Sequence, residues 1–342
     1  MATGLLDSLP AEQRRLLSVA RPGADLAAEP MLATLSDRRD FSGEEWLFER
    51  KLDGVRVLAV REGGRVSLLS RTGRRLDDTY PEVVDALGGQ GCSDFTVDGE
   101  MVAFSRGRTD FARLQQRMGL TRRQDIEASG VAVTYYVFDL LRLDGQDTTR
   151  LPLRARKSLL RRALAYRTPL RMTPHRNEGG AELLAASCAR GWEGLIAKRA
   201  DGHYQPRRSR DWLKLKCSQG QEFVVGGFTE PAGSRVGLGA LLLGHYEHGR
   251  LRYAGKVGTG FDRPALLDLR ERLDGLRVAA SPFDGRVREA GARWARPELV
   301  AQVDFTEWTR DGMLRHPRYL GLRNDKAAEE VVRERPSGRA DG

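Results

Sequence analysis

Arginine stays charged under all physiological conditions, whereas lysine can give up a proton and act as an amine nucleophile. The 342-residue chain contains seven lysines and fifty arginines, so lysine is not its ordinary positive charge. Lys51 stands in "ERKLDGVRVLAV", residues 49–60. The same turn recurs with arginine in its place, as "RLDG" at Arg142–Gly145 and "ERLDGLR" at Glu271–Arg277. These copies serve equally well as turns, so the turn does not explain the lysine. Lys51, Lys198, Lys214, Lys216 and Lys326 all fall in short strand-like or turn-flanking motifs. A Lys51 surrounded by Arg56, Arg71, Lys198, Lys214 and Lys216 would be crowded by like charge and would lose its proton more readily.

The elements that must hold these residues are mostly strands. Residues 1–29 read as a helical lead, with Ser8 as a cap before "PAEQRRLLSVA". From Trp46 onward, "VRVLAVRE", "RVSLLSR" and "FTVDGEMVAF" alternate between Gly-rich turns and favour antiparallel pairing. "YYVFDLLRLDG" reads as a buried strand ending in a turn, and "DALGG" and "TDFARLQQRMGL" as helical interruptions. "LPLRARKSLLRRALAY" and "GGAELLAASCARG" have helical periodicity, the second capped at Gly191. Two strands, "GLIAKR" and "DWLKLK", follow, and in the second Lys214 and Lys216 share a face. After Cys217 the chain becomes Gly-punctuated strands with one helix over 263–273. The expected division is a larger domain over 30–217, a small β-barrel over 218–332 plugged by that helix, and a disordered tail over 333–342.

Composition narrows the classes of function. A net charge of +10 points to a polyanion such as nucleic acid, although an arginine-biased composition gives the same charge. Mean hydropathy is −0.49 and no apolar run approaches the length of a membrane span. The N-terminus lacks the pattern of a secretory leader, so a cytoplasmic, nucleoid-associated protein is expected. Cys92, Cys188 and Cys217 are too few and too scattered for a zinc ribbon or a disulfide framework.

Taken in order, "KLDGVR", "SRTGR", "VDGEMVAF", "YYVFDLLRLDG", "EGLIAKR", "WLKLK" and "RHPRYLGLRNDK" resemble the nucleotidyltransferase motifs of ATP-dependent DNA ligases. The resemblance runs from about Pro30 to Val332. The flanking "QEFVVGGFTEP" and "YAGKVGTGF" look most like the ligase domain of bacterial end-joining ligases of the LigD type. It implies an α+β fold, with an ATP-grasp-like nucleotidyltransferase core of antiparallel sheets followed by a C-terminal OB-fold β-barrel.

The resemblance also implies roles. Lys51 would attack the α-phosphorus of ATP, and the adenylate would pass to a 5′-phosphate at a nick for displacement by the 3′-hydroxyl. Such in-line displacements need positive charge, Mg²⁺ or Mn²⁺, and geometry. Glu100 and Glu193 would lie near the metal or ribose, Phe138 would stack on adenine, and Glu49 would meet the adenine edge. Arg56 and Arg71 would reach sugar or phosphate, and Lys198, Lys214 and Lys216 would line the nucleotide site, the last two aimed at the α-phosphate. Arg323, Asp325 and Lys326, assisted by Arg315 and Arg318, would serve the β- and γ-phosphates. An RNA ligase or a GTP-using capping enzyme shares the lysine motif, and a non-catalytic nucleic-acid-binding relative would be expected to lose Lys51, Glu100 or Glu193. Fifty residues before Lys51 leave no room there for a helical DNA-binding domain. A monomer that relies on a bacterial Ku homodimer and on separate polymerase or nuclease chains is therefore expected.

Overall fold

The alternating residues after Trp46 form strands because branched and aromatic side chains at every second position can bury together on one face. The structure, a computed structural model, describes residues 4–38, 40–41, 45–217, 219–231, 233 and 236–334. It divides into two compact units, one up to Cys217 and one from residue 219 onward.

In the first unit, Val55–Glu62, Phe95–Ser105 and Val133–Leu143 are the antiparallel centre of one sheet, flanked by Arg65–Ser70. A second sheet runs in the order His175–Arg176, Trp46–Arg50, Gly194–Arg199, Arg208–Lys216 and Leu32–Leu35. Two pairings depart from the antiparallel expectation. Leu170–Met172 joins Val133–Leu143 in parallel, and Leu32–Leu35 joins Arg208–Lys216 in parallel. Both partners are reached by long connections, which parallel pairing requires.

Strand alternation gives the second sheet two different faces. Trp46, Phe48, Leu195, Ala197, Leu213 and Leu215 pack with Leu184 of the helix Gly180–Ala189. Their alternates, including Glu49, Lys198, Trp212, Lys214 and Lys216, turn to the other side. The Val133–Leu143 strand ends as read, in a turn where Asp144 and Gly145 both have positive φ. The helix Leu153–Ala163 buries Leu153, Leu159 and Leu160, and the helix Gly180–Ala189 stops just before Gly191, at φ 67°.

The N-terminal lead differs from the expected helix. Within "PAEQRRLLSVA" only Ala11–Arg14 is helical, with Pro10 at its N-cap. The Ser8 hydroxyl donates to the Leu5 carbonyl at 2.6 Å instead of accepting from the helix. A short strand, Ser18–Val19, and the helix Gly23–Ala28 follow.

The cysteines also differ from expectation. Cys188 and Cys217 form a disulfide, with Cα atoms 5.2 Å apart although 29 residues separate them. Cys188 lies in the last turn of the Gly180–Ala189 helix and Cys217 directly follows the Arg208–Lys216 strand. Packing of the helix on the sheet brings them together, a proximity that spacing along the chain hides.

In the second unit, Arg250–Val257, Leu241–Glu247, Gln219–Thr229 and Ala292–Phe305 are successive antiparallel neighbours, and Arg318–Leu322 pairs with the last. Asp262 caps the helix Arg263–Gly275 by accepting from the Ala265 N–H at 2.8 Å. That helix buries Leu266, Leu269 and Leu273 against Phe223, Phe228 and Val303, as the plug of an OB-fold barrel does. Residues 335–342 of the expected disordered tail lie outside the described residues. Arg333 and Glu334 are ordered against the barrel: Arg333 lies 4.2 Å from the Trp308 ring centre, and the Glu334 N–H donates to Gln221.

Candidate active site

Lys51 directly follows the Trp46–Arg50 strand, and its N–H donates to the Gly194 carbonyl at 2.9 Å. The glycines of "KLDG" and "EGL" make this approach possible. A Cβ on Gly54 would fall 2.1 Å from the Met101 carbonyl oxygen, and one on Gly194, at φ 142°, would fall 2.0 Å from that of Leu215. The first packs the lysine turn onto the strand that carries Glu100, and the second sets Glu193 beside Lys51. The Lys51 ammonium and the Glu193 carboxylate form an ion pair.

Burial alone would lower the pKa of Lys51. The charge and hydrogen bond of Glu193, with the charges of Asp53 and Glu100, outweigh it and hold the pKa above the ordinary lysine value. This corrects the expectation that neighbouring cations loosen its proton. The closest group is a carboxylate because the EGL turn, and no arginine, is hydrogen-bonded to the lysine backbone.

Farther along the same face, Glu49 is 2% exposed and pairs with two lysines. Lys157 comes from the helix Leu153–Ala163, and Lys198 Nζ lies 2.9 Å from Glu49 Oε2. Burial acts to raise the Glu49 pKa, but the two ammonium groups win and lower it. Lys198 is pushed down to about 8, first by burial and then by the Lys157 charge, against the pull of Glu49 and Asp139. Its Nζ is 4.1 Å from the Phe138 ring centre and 4.0 Å from that of Trp212. Phe138 and Trp212 meet edge to face at 5.9 Å, so Phe138 lines this wall while remaining part of the packing.

Next to Phe138, Asp139 receives Arg156 Nε and Nη2 at 2.7 and 2.9 Å, with both side chains fully buried. This pair fixes the Val133–Leu143 strand to the helix that supplies Lys157.

Arg56 does not extend freely toward a ligand. Its guanidinium forks onto Asp98 at 2.9 and 2.5 Å, and the Tyr204 hydroxyl donates to the same carboxylate at 2.7 Å. The "VDGE" motif thus supplies the counter-charge for Arg56 from Asp98, two residues before Glu100. Arg71 sits half-buried in the turn after Arg65–Ser70. Lys214 and Lys216 pair in register with Ile196 and Gly194, on the same face as Lys198. In the second unit, Arg323 forks onto Asp325 at 2.9 and 2.8 Å, and Lys326 donates to Glu222 at 3.1 Å.

The donor set suits a divalent cation that brings its other ligands with it. Glu193 Oε2 is buried and accepts no hydrogen bond. Among the described residues no group of three or more His, Cys, Asp or Glu side chains is arranged to hold a metal. Mg²⁺ typically takes one or two carboxylates and completes its shell with phosphate oxygens and water.

Lys157, Asp98, Tyr204 and Trp212 escaped the sequence reading. The signal for Lys157 was present, since it is one of only seven lysines, but its helical context gave no motif.

The chain resembles known proteins over most of its length. Residues 30–216 match the family described as ATP dependent DNA ligase domain, and residues 234–326 the ATP dependent DNA ligase C terminal region. The multifunctional non-homologous end joining protein LigD of Pseudomonas aeruginosa is 43% identical over 303 residues, covering 86% of this chain and 35% of that protein. The corresponding DNA repair protein LigD of Mycobacterium tuberculosis is 39% identical over 311 residues, covering 89% of this chain and 40% of that protein. The chain therefore spans well under half the length of these relatives. A solved mycobacterial DNA ligase D in complex with ATP and MES is 37% identical with a TM-score of 0.65, covering 90% of this chain and 98% of that one. Among the described residues no helix is long and apolar enough to cross a membrane.

Proposed function

The chain belongs to the ATP-dependent DNA ligase family, and from that premise we propose that it seals 5′-phosphate/3′-hydroxyl nicks in DNA end joining through an adenylate on Lys51. The observation that carries this reading is the Lys51–Glu193 pair on the sheet face that also carries Lys198, which packs between the Phe138 and Trp212 rings. In the first step Lys51 Nζ bonds to the α-phosphorus of ATP as the bond to the bridging oxygen breaks, and pyrophosphate leaves. The AMP then passes from the lysine to the 5′-phosphate of the nick, and the 3′-hydroxyl displaces it.

Mg²⁺ held by Glu100 and Glu193 would supply charge neutralisation at the phosphates. Glu193 would then be shared between the metal and Lys51, and its hold on the Lys51 proton would weaken. Phe138 offers a ring to the adenine and Glu49 a carboxylate to its edge. Arg56 acts through its charge, fixed in place by Asp98, and Arg71 meets sugar or phosphate. Lys198 lines the nucleotide site, and Lys214 and Lys216 serve the α-phosphate. Arg323, Asp325 and Lys326 are the second unit's contribution to the departing phosphates. The matched families are DNA ligases, so RNA ligase and capping activities are not favoured.

The test is incubation with α-labelled ATP and Mg²⁺, followed by denaturation and, separately, by a chase with nicked duplex. Label that survives denaturation and moves to a 5′-phosphate supports the reading, whereas label retained by Lys51→Ala sinks it. The end-joining context predicts that a bacterial Ku homodimer stimulates joining of double-strand breaks but not sealing of nicks. Equal joining with and without Ku would remove that part.

A further inference from the structure

Most arginines in the first unit whose side chains are buried are engaged by carboxylates: Arg56 by Asp98, Arg117 by Glu82, Arg142 by Glu62 and Asp94, and Arg156 by Asp139. Three arginines around Trp192 are not: Arg50, which is half-buried, and Arg108 and Arg190, which are exposed. Arg50 immediately precedes Lys51, and its guanidinium carbon is 4.3 Å from the Trp192 ring centre. Arg190 approaches the same ring at 5.4 Å. Arg108, from the short strand Arg108–Thr109, lies over Gly191, where an added Cβ would fall 2.7 Å from its Nη1. Trp192 itself immediately precedes Glu193.

Among the described residues none of these arginines has an ion pair or a side-chain hydrogen bond, and the Arg50 Nε is buried with no partner. Burial pushes the Arg50 pKa down, with only the Tyr136 hydroxyl opposing it. A half-buried guanidinium without an acceptor is unfavourable, and an anionic ligand removes that cost.

Alternation along the strand also matters. Glu49 belongs to the face that carries Lys198, whereas Arg50 points the other way. Arg50 therefore has no share in the ion pairs of Glu49.

We propose that Arg50, Arg108 and Arg190, gathered around Trp192, form a DNA-backbone subsite for the phosphates next to the reacting 5′-phosphate. This rests on the ligase reading above and extends it to a specific surface. The arginines contact phosphate, and Trp192 is a positioning residue that holds Arg50 and Arg190 in place by cation–π contact. The site reads no sequence, as backbone contacts carry none.

The test uses the full chain, with Arg108→Ala/Arg190→Ala as one variant and Trp192→Ala as another. Three readouts are taken: lysine adenylation from labelled ATP, affinity for a 5′-adenylated nicked duplex across a salt series, and the rate of sealing that duplex. The double variant should adenylate within about twofold of wild type but bind the duplex at least about tenfold more weakly. Its slope of log affinity against log salt should fall by roughly 2, at about 0.9 per phosphate contact. Arg108→Lys/Arg190→Lys should restore the slope, which a merely structural role would not predict. Trp192→Ala should weaken binding with a smaller change of slope, and Trp192→Phe should recover it.

Unchanged affinity and slope in a double variant that still adenylates would overturn the proposal. So would a loss of adenylation with normal DNA binding, because the cluster would then serve the phosphates of ATP. Binding is read without catalysis. A wild-type chain that takes up no label would therefore count against the ligase reading while the salt slope still decides this one.

Discussion

Two sites along one sheet face handle lysine in opposite ways. Beside the Glu193 turn, one ammonium, Lys51, feels three carboxylates, Glu193, Asp53 and Glu100. Deeper in the fold, Lys157 and Lys198 share the buried Glu49. Burial acts on Lys51 and Lys198 in the same direction, yet the Lys51 pKa is raised and that of Lys198 falls to about 8. The ratio of carboxylates to ammonium groups decides the outcome. The lysine expected to be the more easily deprotonated is therefore the one that holds its proton more tightly.

The largest effect should separate the two lysines outright. Lys51→Ala should take up no denaturation-resistant label from α-labelled ATP, whereas Lys198→Ala should still be labelled, more slowly. Equal loss in both would erase the distinction drawn between nucleophile and wall.

Glu49→Gln comes next. It leaves Lys157 and Lys198 buried without their shared anion, and breaking a buried ionic contact of this kind costs about 3–5 kcal/mol. Chemical denaturation near pH 7 should show that loss, while Glu193→Gln, in a more exposed pair, should destabilise less.

A smaller effect concerns the second unit. Lys326→Ala frees Glu222 of one partner and should slow lysine adenylation several-fold more than it slows sealing of a pre-adenylated nick. Equal slowing would argue against a role confined to the first step.

The smallest is a pH signature. The folded pKa of Lys198 lies below the ordinary 10.5, so between about pH 8 and 10.5 the unfolded chain binds more protons and this group makes stability rise with pH. Lys51, with its folded pKa raised, acts with the opposite sign. Its contribution is complete below the unfolded pKa and is lost as pH rises through the folded one. Lys198→Met should therefore steepen the alkaline loss of stability in a denaturation series, and an unchanged profile would contradict the assignment.

Much of what gathers around Lys51 in the structure was legible because it falls in short motifs. Lys51 with Gly54, and Glu193 with Gly194, are such pairs, and their glycines have steric reasons visible in the structure. Contacts between distant segments were not legible. That Asp98 would hold Arg56, that Lys157 would reach Glu49 from a helix, and that Cys188 would meet Cys217 all depend on how helices pack on sheets. Periodicity reports which face a residue occupies, and it does not report who stands opposite. The N-terminal lead failed for a related reason: local helical propensity over 11–20 lost to pairing of Ser18–Val19 with Gln146–Asp147.

The Cys188–Cys217 bond has a mechanical consequence. It closes a ring of chain that contains Glu193, Lys198, Lys214 and Lys216, and it does so at the last residue before the second unit begins. A pull on the chain beyond Cys217 is carried through the sulfurs into the Gly180–Ala189 helix and bypasses the hydrogen bonds of the Arg208–Lys216 strand. The two lysines at the end of that strand are thereby sheltered from tension, and they keep their register with Ile196 and Gly194 whatever load the linker bears.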